Sequence, residues 1–358
     1  MSREVGTESE DMLDKPPFAV FYGSLVLISD FCSLFFIFTV ITKSTADMKL
    51  YKYVLLKLAI CDLLFNVSIA MLVGPDLLCP LPAVVVRSPI GGLSETHAFV
   101  TIAITCALSV TVFTSINDCC FIRVCIFYQW NLFLQKLYSW KGVVFLVLVN
   151  GIVISVIVST LWLAVNTNKE FLEVVTSLNM TQALGSYALE PETVYFYVDI
   201  HRPQVIPLIA IVLVGIVSVH TMNLYASSYV WEGVCKRKKN MSDRSFQSHR
   251  QLTLLVVCQN VVPALALSIP LIIVIISFLL NYPPDTFAEV IKHFVTFTLC
   301  IYPAMSVILG FTFIRPYKKF LISLFCNIRR KKRSQVSDVR MSRKESVGNE
   351  SFDEVGYI

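Results

Sequence analysis

Two aspartates interrupt the first two long apolar stretches of the chain, Asp30 and Asp62. A carboxylate inside a bilayer is costly, so each of them is a functional candidate by default. Each lies about 12 residues from the basic end of its stretch, which is roughly 18 Å along an α-helix. We therefore predict that the two carboxyls lie at one depth, where they could share a proton or a cation. A protonated acid with a purely structural role is the alternative, and the residue types leave both open.

Hydroxyl and proline residues fall at the same depth in two other apolar stretches. Tyr302, Pro303 and Ser306 occur near the end of the chain, and Ser115 occurs in the third stretch. We predict that these residues and the two aspartates form one polar cluster, which repacks when the helices change their arrangement.

The apolar stretch from residue 252 to residue 280 contains four residues that disfavour a lone lipid-facing helix: Gln259, Asn260, Pro263 and Pro270. Neighbouring helices can bury such amides and satisfy the backbone groups that proline leaves unpaired. The sequence therefore predicts a kinked helix inside a bundle, free to tilt. The two prolines are candidate hinge residues, and the two amides are candidate polar residues in a ligand site.

Seven apolar stretches occur in the chain, and we call them spans 1 to 7. An α-helix needs about 20 apolar residues to cross the hydrocarbon core of a bilayer. Of the 358 residues, 55% are hydrophobic and 15% are charged, whereas soluble domains have about 25% charged residues. We predict an all-α membrane protein, a seven-transmembrane helix bundle. The predicted spans are 17–42, 51–74, 96–127, 142–166, 203–230, 252–280 and 289–314.

Lysine and arginine are concentrated on one side of these spans, as they are in cytoplasmic loops. Of 30 such residues, 24 lie in the segments 43–57, 123–141 and 231–250 and in the tail from residue 315 onward. The other 6 lie in the N-terminal tail and the remaining loops. We predict an extracellular N-terminus and a cytoplasmic C-terminus. The sequon at Asn179 then falls in the longest outer loop, where it is a candidate glycosylation site.

Three segments flank the predicted bundle at 17–314: an extracellular tail at 1–16, an amphipathic membrane-surface helix at 315–333, and a disordered cytoplasmic tail at 334–358. The amphipathic helix has an apolar stripe between basic flanks, which suits a helix in the membrane interface. Its basic run favours an anionic inner leaflet, so membrane lipid is an expected partner. Cys326 on this helix could be palmitoylated or could remain unmodified. The stripe consists of Tyr317, Phe320, Leu321, Leu324, Phe325 and Ile328.

No motif in the sequence indicates catalysis. GxSxG, HExxH and phosphate-cradling glycine arrays are all missing from the sequence. No Cys/His array has zinc-ligand spacing, so we expect no metal, no cofactor and no enzymatic activity. Because the basic residues cluster beside apolar spans, we also expect no nucleic-acid partner. Most of the 11 cysteines lie within apolar spans and are expected to be small core residues, and Cys79 has no cysteine partner in the loop 167–202.

Basic residues mark the predicted cytoplasmic ends of spans 3 and 6. Arg123 follows Asp118 at the end of span 3, and Arg244, His249 and Arg250 lie at the start of span 6. Arg123 is a candidate for contacting a signalling partner or for holding an inactive state, and Arg244 and Arg250 are candidates for the same contact. A solvated arginine whose stem snorkels along the membrane is the alternative.

Polar residues at the predicted outer ends of the spans could surround a ligand entrance. Glu95 and His97 lie at the start of span 3, His201 precedes span 5, and His293 lies in span 7. Binding sites between bundle helices are mostly apolar with a few polar anchors. Together with the two amides of span 6, these residues are the candidate ligand contacts, although each could instead be a hydrated interface residue.

Two blocks of the sequence resemble a known receptor family. SFQSHRQL (245–252) followed by CQNVVP (258–263) and Pro270 is similar to the sixth helix of nematode serpentine chemoreceptors of the Str-like superfamily, class D or class H. YPAMS (302–306) and IRPYKKF (314–320) resemble the seventh-helix motif and the terminal motif of the same group.

This resemblance implies a seven-transmembrane G-protein-coupled receptor in the plasma membrane, and it would allow a location in a sensory cilium. It implies a small-molecule ligand that enters from outside between spans 3, 5, 6 and 7, and a heterotrimeric G protein as partner. The sequence departs from the family pattern at Lys318, where arginine is usual, and at Ile122-Arg123, where an aromatic residue often precedes the arginine. LAICD (58–62) also resembles the second helix of rhodopsin-like receptors, where the aspartate holds sodium.

Two other classes of membrane protein remain as alternatives. An odorant-gated ion channel would have its own pore, and the insect channels of this kind have seven spans in the opposite orientation. A proton-coupled transporter would use the two intramembrane aspartates, but no span repeats another closely enough to suggest inverted halves.

Overall fold

A computed structural model describes residues 16–44, 49–69, 76–78, 83–86, 94–166, 168–177, 194–198, 202–240, 242–279, 285–324 and 326. Its helices are α1 (Pro16–Lys43), α2 (Lys49–Val67), α3 (Glu95–Phe127), α4 (Asn131–Leu137), α5 (Trp140–Ala164), α6 (Asn168–Ser177), α7 (Val205–Lys236), α8 (Asp243–Pro263), α9 (Ile269–Leu279), α10 (Asp285–Phe313) and α11 (315–324).

The prediction of an all-α seven-helix membrane bundle is confirmed. The seven spans are α1, α2, α3, α5, α7, the pair α8–α9, and α10. Within the described residues, six helices are long and apolar enough by length and composition to cross a membrane. The seventh, α2, is short and carries three lysines, and it packs between α1 and α3.

The largest core cluster fills the bundle between α1, α2, α3 and α10. Phe36, Leu55, Ile116 and Phe311 are buried there. By contrast, Ala164 is the only buried residue of α5. Span 4 therefore lies at the periphery of the bundle, where its apolar side chains can face lipid.

A small antiparallel sheet lies at one end of the bundle. Three of its strands lie in segments predicted to be loops, and the fourth, β3, occupies the end of the predicted span 142–166. Its strands β1 (Asp76–Leu78), β2 (Ala83–Val86), β3 (Val165–Asn166) and β4 (Val194–Val198) are arranged in the order β1-β2-β4-β3. β-branched and aromatic residues favour strands, and β4 consists of nothing else (VYFYV). Its Phe196 packs with Ala98 at the start of α3. We call this the sheet end of the bundle.

The opposite end of the bundle is closed by α11, and we call it the basic end. Tyr317 is buried, and its hydroxyl forms a 2.7 Å hydrogen bond with the hydroxyl of Ser44, the residue that follows α1. Lys43 lies 4.8 Å above the ring of Phe320, a cation–π contact. Arg315 donates a 2.8 Å bond from Nε to Gln251 of α8. Thus α11 links the ends of span 1 and span 6.

Span 6 is interrupted where its prolines predict a break, and the interruption is a π turn at Ala264–Ser268. Pro263 ends α8, and Pro270 is the second residue of α9. Proline cannot donate to the helical ladder and its ring clashes with the carbonyl four residues back. The N–H of Ile269 instead bonds to the carbonyl of Ala264, five residues back, as a π turn requires.

Candidate functional site

Asp62 lies at the centre of the bundle, where α2 faces α10. Its side chain is almost fully buried. Oδ1 accepts a 3.0 Å hydrogen bond from the hydroxyl of Tyr302, and the hydroxyl of Ser306 also bonds to this carboxyl. Because Tyr302 and Ser306 are four residues apart, they lie on one face of α10. The structure therefore brings together the α2 and α10 members of the predicted polar cluster, and the adjacent Pro303 is buried as well.

Asp30 joins this region through a different partner. It is half-buried, and its Oδ1 accepts a 2.7 Å bond from Nδ2 of Asn66. Asn66 lies one helical turn from Asp62 on the same face of α2. Asp62 and Asn66, the partner of Asp30, thus lie on successive turns of α2, and each aspartate has its own hydrogen-bond partner. Ser115 is buried but donates to the carbonyl of Thr111 in its own helix, so it stands apart from the carboxyls.

A small cavity of about 10 Å³ adjoins the Asp62 carboxyl. Ser33, Gln259 and Ser306 contribute polar side chains to its lining. Ser33 Oγ and Gln259 Oε1 are buried and have no hydrogen-bond partner among the described residues. A space of this size is close to the minimum for one water molecule, and polar walls are the condition for one to stay. Gln259 of span 6 therefore faces spans 1, 2 and 7.

Arg123 is buried at the basic end of α3 and is held by α8. Its Nη2 donates to Nδ1 of His249 and to the backbone carbonyl of His249, each at 3.1 Å. The imidazole packs edge to face against Phe127, with ring centroids 5.6 Å apart. A guanidinium carries its charge at any relevant pH. This one ties the end of span 3 to the start of span 6.

Asp118, the acid nearest to Arg123 in the sequence, is paired elsewhere. Its Oδ2 accepts a 2.7 Å bond from Nζ of Lys57 on α2, and both side chains are partly exposed. This ion pair joins spans 2 and 3. Arg250 is exposed directly after His249, and the side chain of Arg244 lies outside the described residues.

A polar cluster between spans 5 and 6 was missed by the sequence analysis. His220 of α7 bonds through Nδ1 to Oδ1 of Asn260, at 2.9 Å, and through Nε2 to Oγ of Ser268, at 2.8 Å. Nδ2 of Asn223 donates to the same Asn260 oxygen at 3.3 Å. The signal was available: His220, Asn223 and Ser227 recur at helical spacing within an otherwise apolar span. Asn260 therefore faces span 5, whereas Gln259 faces spans 1, 2 and 7.

The predicted rim residues lie at the sheet end but bond to different elements. His97 Nδ1 lies 2.9 Å from Oγ of Ser94, the residue that caps α3. His293 Nδ1 lies 3.1 Å from the hydroxyl of Tyr22 and so connects α10 with α1. Glu95 is exposed in the first turn of α3. Two further predicted sites, His201 and Asn179, lie outside the described residues.

Comparison with known proteins places this arrangement in a family. The family described as serpentine type 7TM GPCR chemoreceptor Str has a model that matches residues 19–322, from α1 into α11. A search of curated proteins finds no match. Since the matched region covers most of the chain and extends over all or nearly all of each span, the chain belongs to the Str family of serpentine seven-transmembrane chemoreceptors.

Proposed function

We propose that this chain is a plasma-membrane receptor that binds a small molecule at the sheet end and signals to a heterotrimeric G protein at the basic end. The observation that carries the proposal is the contact between Arg123 and His249. A buried cation at the end of span 3, held by the start of span 6, is a group that can be released when span 6 tilts.

Ligand binding is proposed at the sheet end, between spans 3, 5, 6 and 7. The sheet packs over the start of α3, and its strand β3 follows directly from α5. Phe99 of α3 meets Trp162 of α5 edge to face, with ring centroids 4.5 Å apart. This supports an entrance on the other side, towards α7, α9 and α10. The ligand contacts proposed from the sequence are Glu95, His97, His201, Asn260 and His293. Gln259, which the sequence also suggested, instead faces the Asp62 cavity between spans 1, 2 and 7.

A ligand can shift a conformational equilibrium only by its difference in affinity for the two states. The proposed inactive state is the one described, with Arg123 bound to His249. In the proposed active state the prolines of span 6, Pro263 and Pro270, act as its hinge, and the start of α8 moves away from α3. Arg123 and Arg250, together with Arg244, then face the G protein.

The Asp62 cluster is proposed to be the mid-membrane part of the same switch. Asp62, Tyr302 and Ser306 connect spans 2 and 7, and the cavity beside them reaches Gln259 of span 6. Movement of span 6 would therefore change the surroundings of the carboxyl. Asp30, Pro303 and the hinge prolines complete the proposed set of switch residues.

A calcium-imaging odorant screen of cells expressing the chain tests the signalling proposal. We expect at least one small molecule to give a response that disappears when heterotrimeric G proteins are blocked. A current carried by the purified protein in a bilayer, without G protein, would instead favour a channel. Uptake of a labelled solute that follows a pH gradient would favour a transporter.

Two substitutions test the Arg123–His249 contact. Arg123→Gln is expected to abolish the response while surface expression persists. His249→Phe keeps an aromatic ring against Phe127 but removes one hydrogen bond to a charged group, worth about 1.5–3 kcal/mol. We therefore expect ligand-free signalling to rise about tenfold or more.

Arg237→Gln is the matched control for both variants. This arginine caps α7 at the same end of the bundle and stacks on the rings of Phe127 and Tyr128. Unlike Arg123, it makes no hydrogen bond or ion pair with α8 among the described residues. It should leave ligand-free signalling unchanged. Normal signalling by Arg123→Gln, or unchanged basal signalling by His249→Phe, would contradict the proposed role.

A further inference from the structure

We propose that His220 is a positioning residue that holds span 6 in its π-turn register and so fixes which face of α9 points into the bundle. This inference rests on the proposed receptor function for its signalling consequence, but its structural part stands alone. The two bonds of the imidazole fall on opposite sides of the π turn, on Asn260 before it and on Ser268 at its end.

A neutral imidazole satisfies both partners. Nδ1–H donates to the side-chain amide oxygen Oδ1 of Asn260, and Nε2 accepts from the hydroxyl of Ser268. The ring is also held from the third side by Phe113 of α3, edge to face at 6.0 Å. Asn260 also accepts a hydrogen bond from Asn223 of the same span 5 helix. We call His220 with its bonds to Asn260 and Ser268 the clamp, and it joins span 5 to span 6 on both sides of the π turn.

The helix geometry shows why the π turn matters to this clamp. An α-helix turns about 100° per residue, so the eight residues from Asn260 to Ser268 would place the two side chains about 80° apart. A π turn closes on the fifth residue instead of the fourth and absorbs one extra residue. Asn260 and Ser268 then behave like residues seven apart, about 20° from alignment. One histidine can reach both because the turn is π.

Losing the clamp would favour the ordinary α register, because isolated π turns are rare and are retained at functional sites. Ser268 and all of α9 would then rotate by about 100° relative to α8. Each residue of α9 would take the face now occupied by the next residue. Ile275 is now half-buried and Ile276 exposed, so Ile275 would gain exposure to lipid and Ile276 would lose it.

The test combines His220→Phe, which preserves the contact with Phe113, with deletion of Leu265. Leu265 is an exposed residue within the π turn. Its deletion removes the extra residue, so a regular α-helix would return α9 to its present face. We expect His220→Phe to lower ligand potency at least tenfold at normal surface expression. We expect the deletion to restore potency to within threefold of the unsubstituted chain, and to be tolerated when His220 is present.

A structural readout that needs no ligand accompanies the signalling assay. A trifluoromethyl-phenylalanine at position 275 or 276, in the full chain in nanodiscs, reports exposure to lipid through the oxygen-induced shift of its fluorine signal. Position 276 is now more exposed to lipid than position 275. In His220→Phe position 275 should become the more exposed of the two, and the added deletion of Leu265 should restore the present order. Met222→Phe, a lipid-exposed substitution on the same helix, is the control and should change nothing.

Unchanged exposure at both positions in His220→Phe, or failure of the deletion to restore it, would overturn the proposal. If His220→Phe does not reach the membrane, Ser268→Ala replaces it, because this variant removes one of the two bonds of His220. Ser268→Ala must then reverse the order of lipid exposure at positions 275 and 276, and deletion of Leu265 must restore it. If no ligand response exists in any variant, the receptor proposal fails, while the fluorine signals still decide the role of His220.

Discussion

At the scale of single residues, the Asp62 carboxyl is the group whose chemistry is easiest to isolate. It accepts from Tyr302 and from Ser306, so one change can remove its charge and another can remove a hydrogen bond. Asp62→Asn keeps an oxygen that accepts from both hydroxyls but cannot carry a proton or bind a cation as a carboxylate does. Tyr302→Phe keeps the carboxyl and removes one donor.

If the Asp62 carboxyl is part of the conformational switch, Asp62→Asn should shift ligand potency about tenfold. This corresponds to about 1.4 kcal/mol, which is within the range of typical coupling energies. Surface expression should stay near normal. Tyr302→Phe should lower stability by about 1–3 kcal/mol, because it removes a partner of a buried polar group. Potency and surface level of both variants, measured by concentration–response and surface labelling, check this. Normal potency for Asp62→Asn would leave the carboxyl a structural role only.

Counting residues from the basic end predicted that Asp62 and Tyr302 would lie at one depth, and they are hydrogen-bonded. Depth follows from the sequence because the rise of an α-helix is nearly constant. The rotation of each helix about its axis does not follow from depth. This is why the partners of Asp30, Asp118 and His220 were not predicted: each depends on which face of α2, α3 or α7 meets its neighbour.

At the scale of elements, α1 approaches α10 closely at Gly310. A Cβ added at Gly310 would lie 2.4 Å from Cζ of the buried Phe36 ring. Gly310→Ala therefore forces the ring or the helix to move, and such overpacking costs about 1–3 kcal/mol. We expect lower thermal stability in detergent and reduced surface expression, and Phe36→Leu should partly restore both.

Gly151→Ala is the matched control on α5. A Cβ at Gly151 would meet nothing within 4 Å, since this helix lies at the periphery. It should be neutral or slightly stabilising, because alanine favours a helix by about 1 kcal/mol over glycine. Equal stability of the two alanine variants would show that α1 and α10 do not need the close approach.

Hydropathy predicted the helices better than the segments between them. It identified all seven spans because a bilayer demands length and apolarity from each. It underestimated α7, which continues to Lys236, because a helix need not end where the hydrocarbon ends. It missed the sheet because strands of two to five residues leave little periodic signal, and because the central pair, β2 and β4, joins loops more than 100 residues apart.

At the scale of the whole molecule, the distribution of charge predicts the orientation in the membrane. The chain places 24 of its 30 lysines and arginines on one side of the spans, and the structure gathers Lys43, Lys57, Arg123, Arg237 and Arg315 at the basic end. A membrane potential of 100 mV is worth about 2.3 kcal/mol for each charge moved across, so the inverted arrangement would be strongly disfavoured.

We therefore predict that a tag after residue 358 is stained by antibody only in permeabilised cells, whereas a tag before residue 1 is stained in intact cells. Asn179→Gln should increase gel mobility if the loop 167–202 enters the secretory lumen and its sequon is used. The tags decide the matter independently of the glycan. Staining of the C-terminal tag on intact cells would place Arg123 outside the cell, where no G protein could reach it, and would favour the inverted topology of the odorant-gated channels.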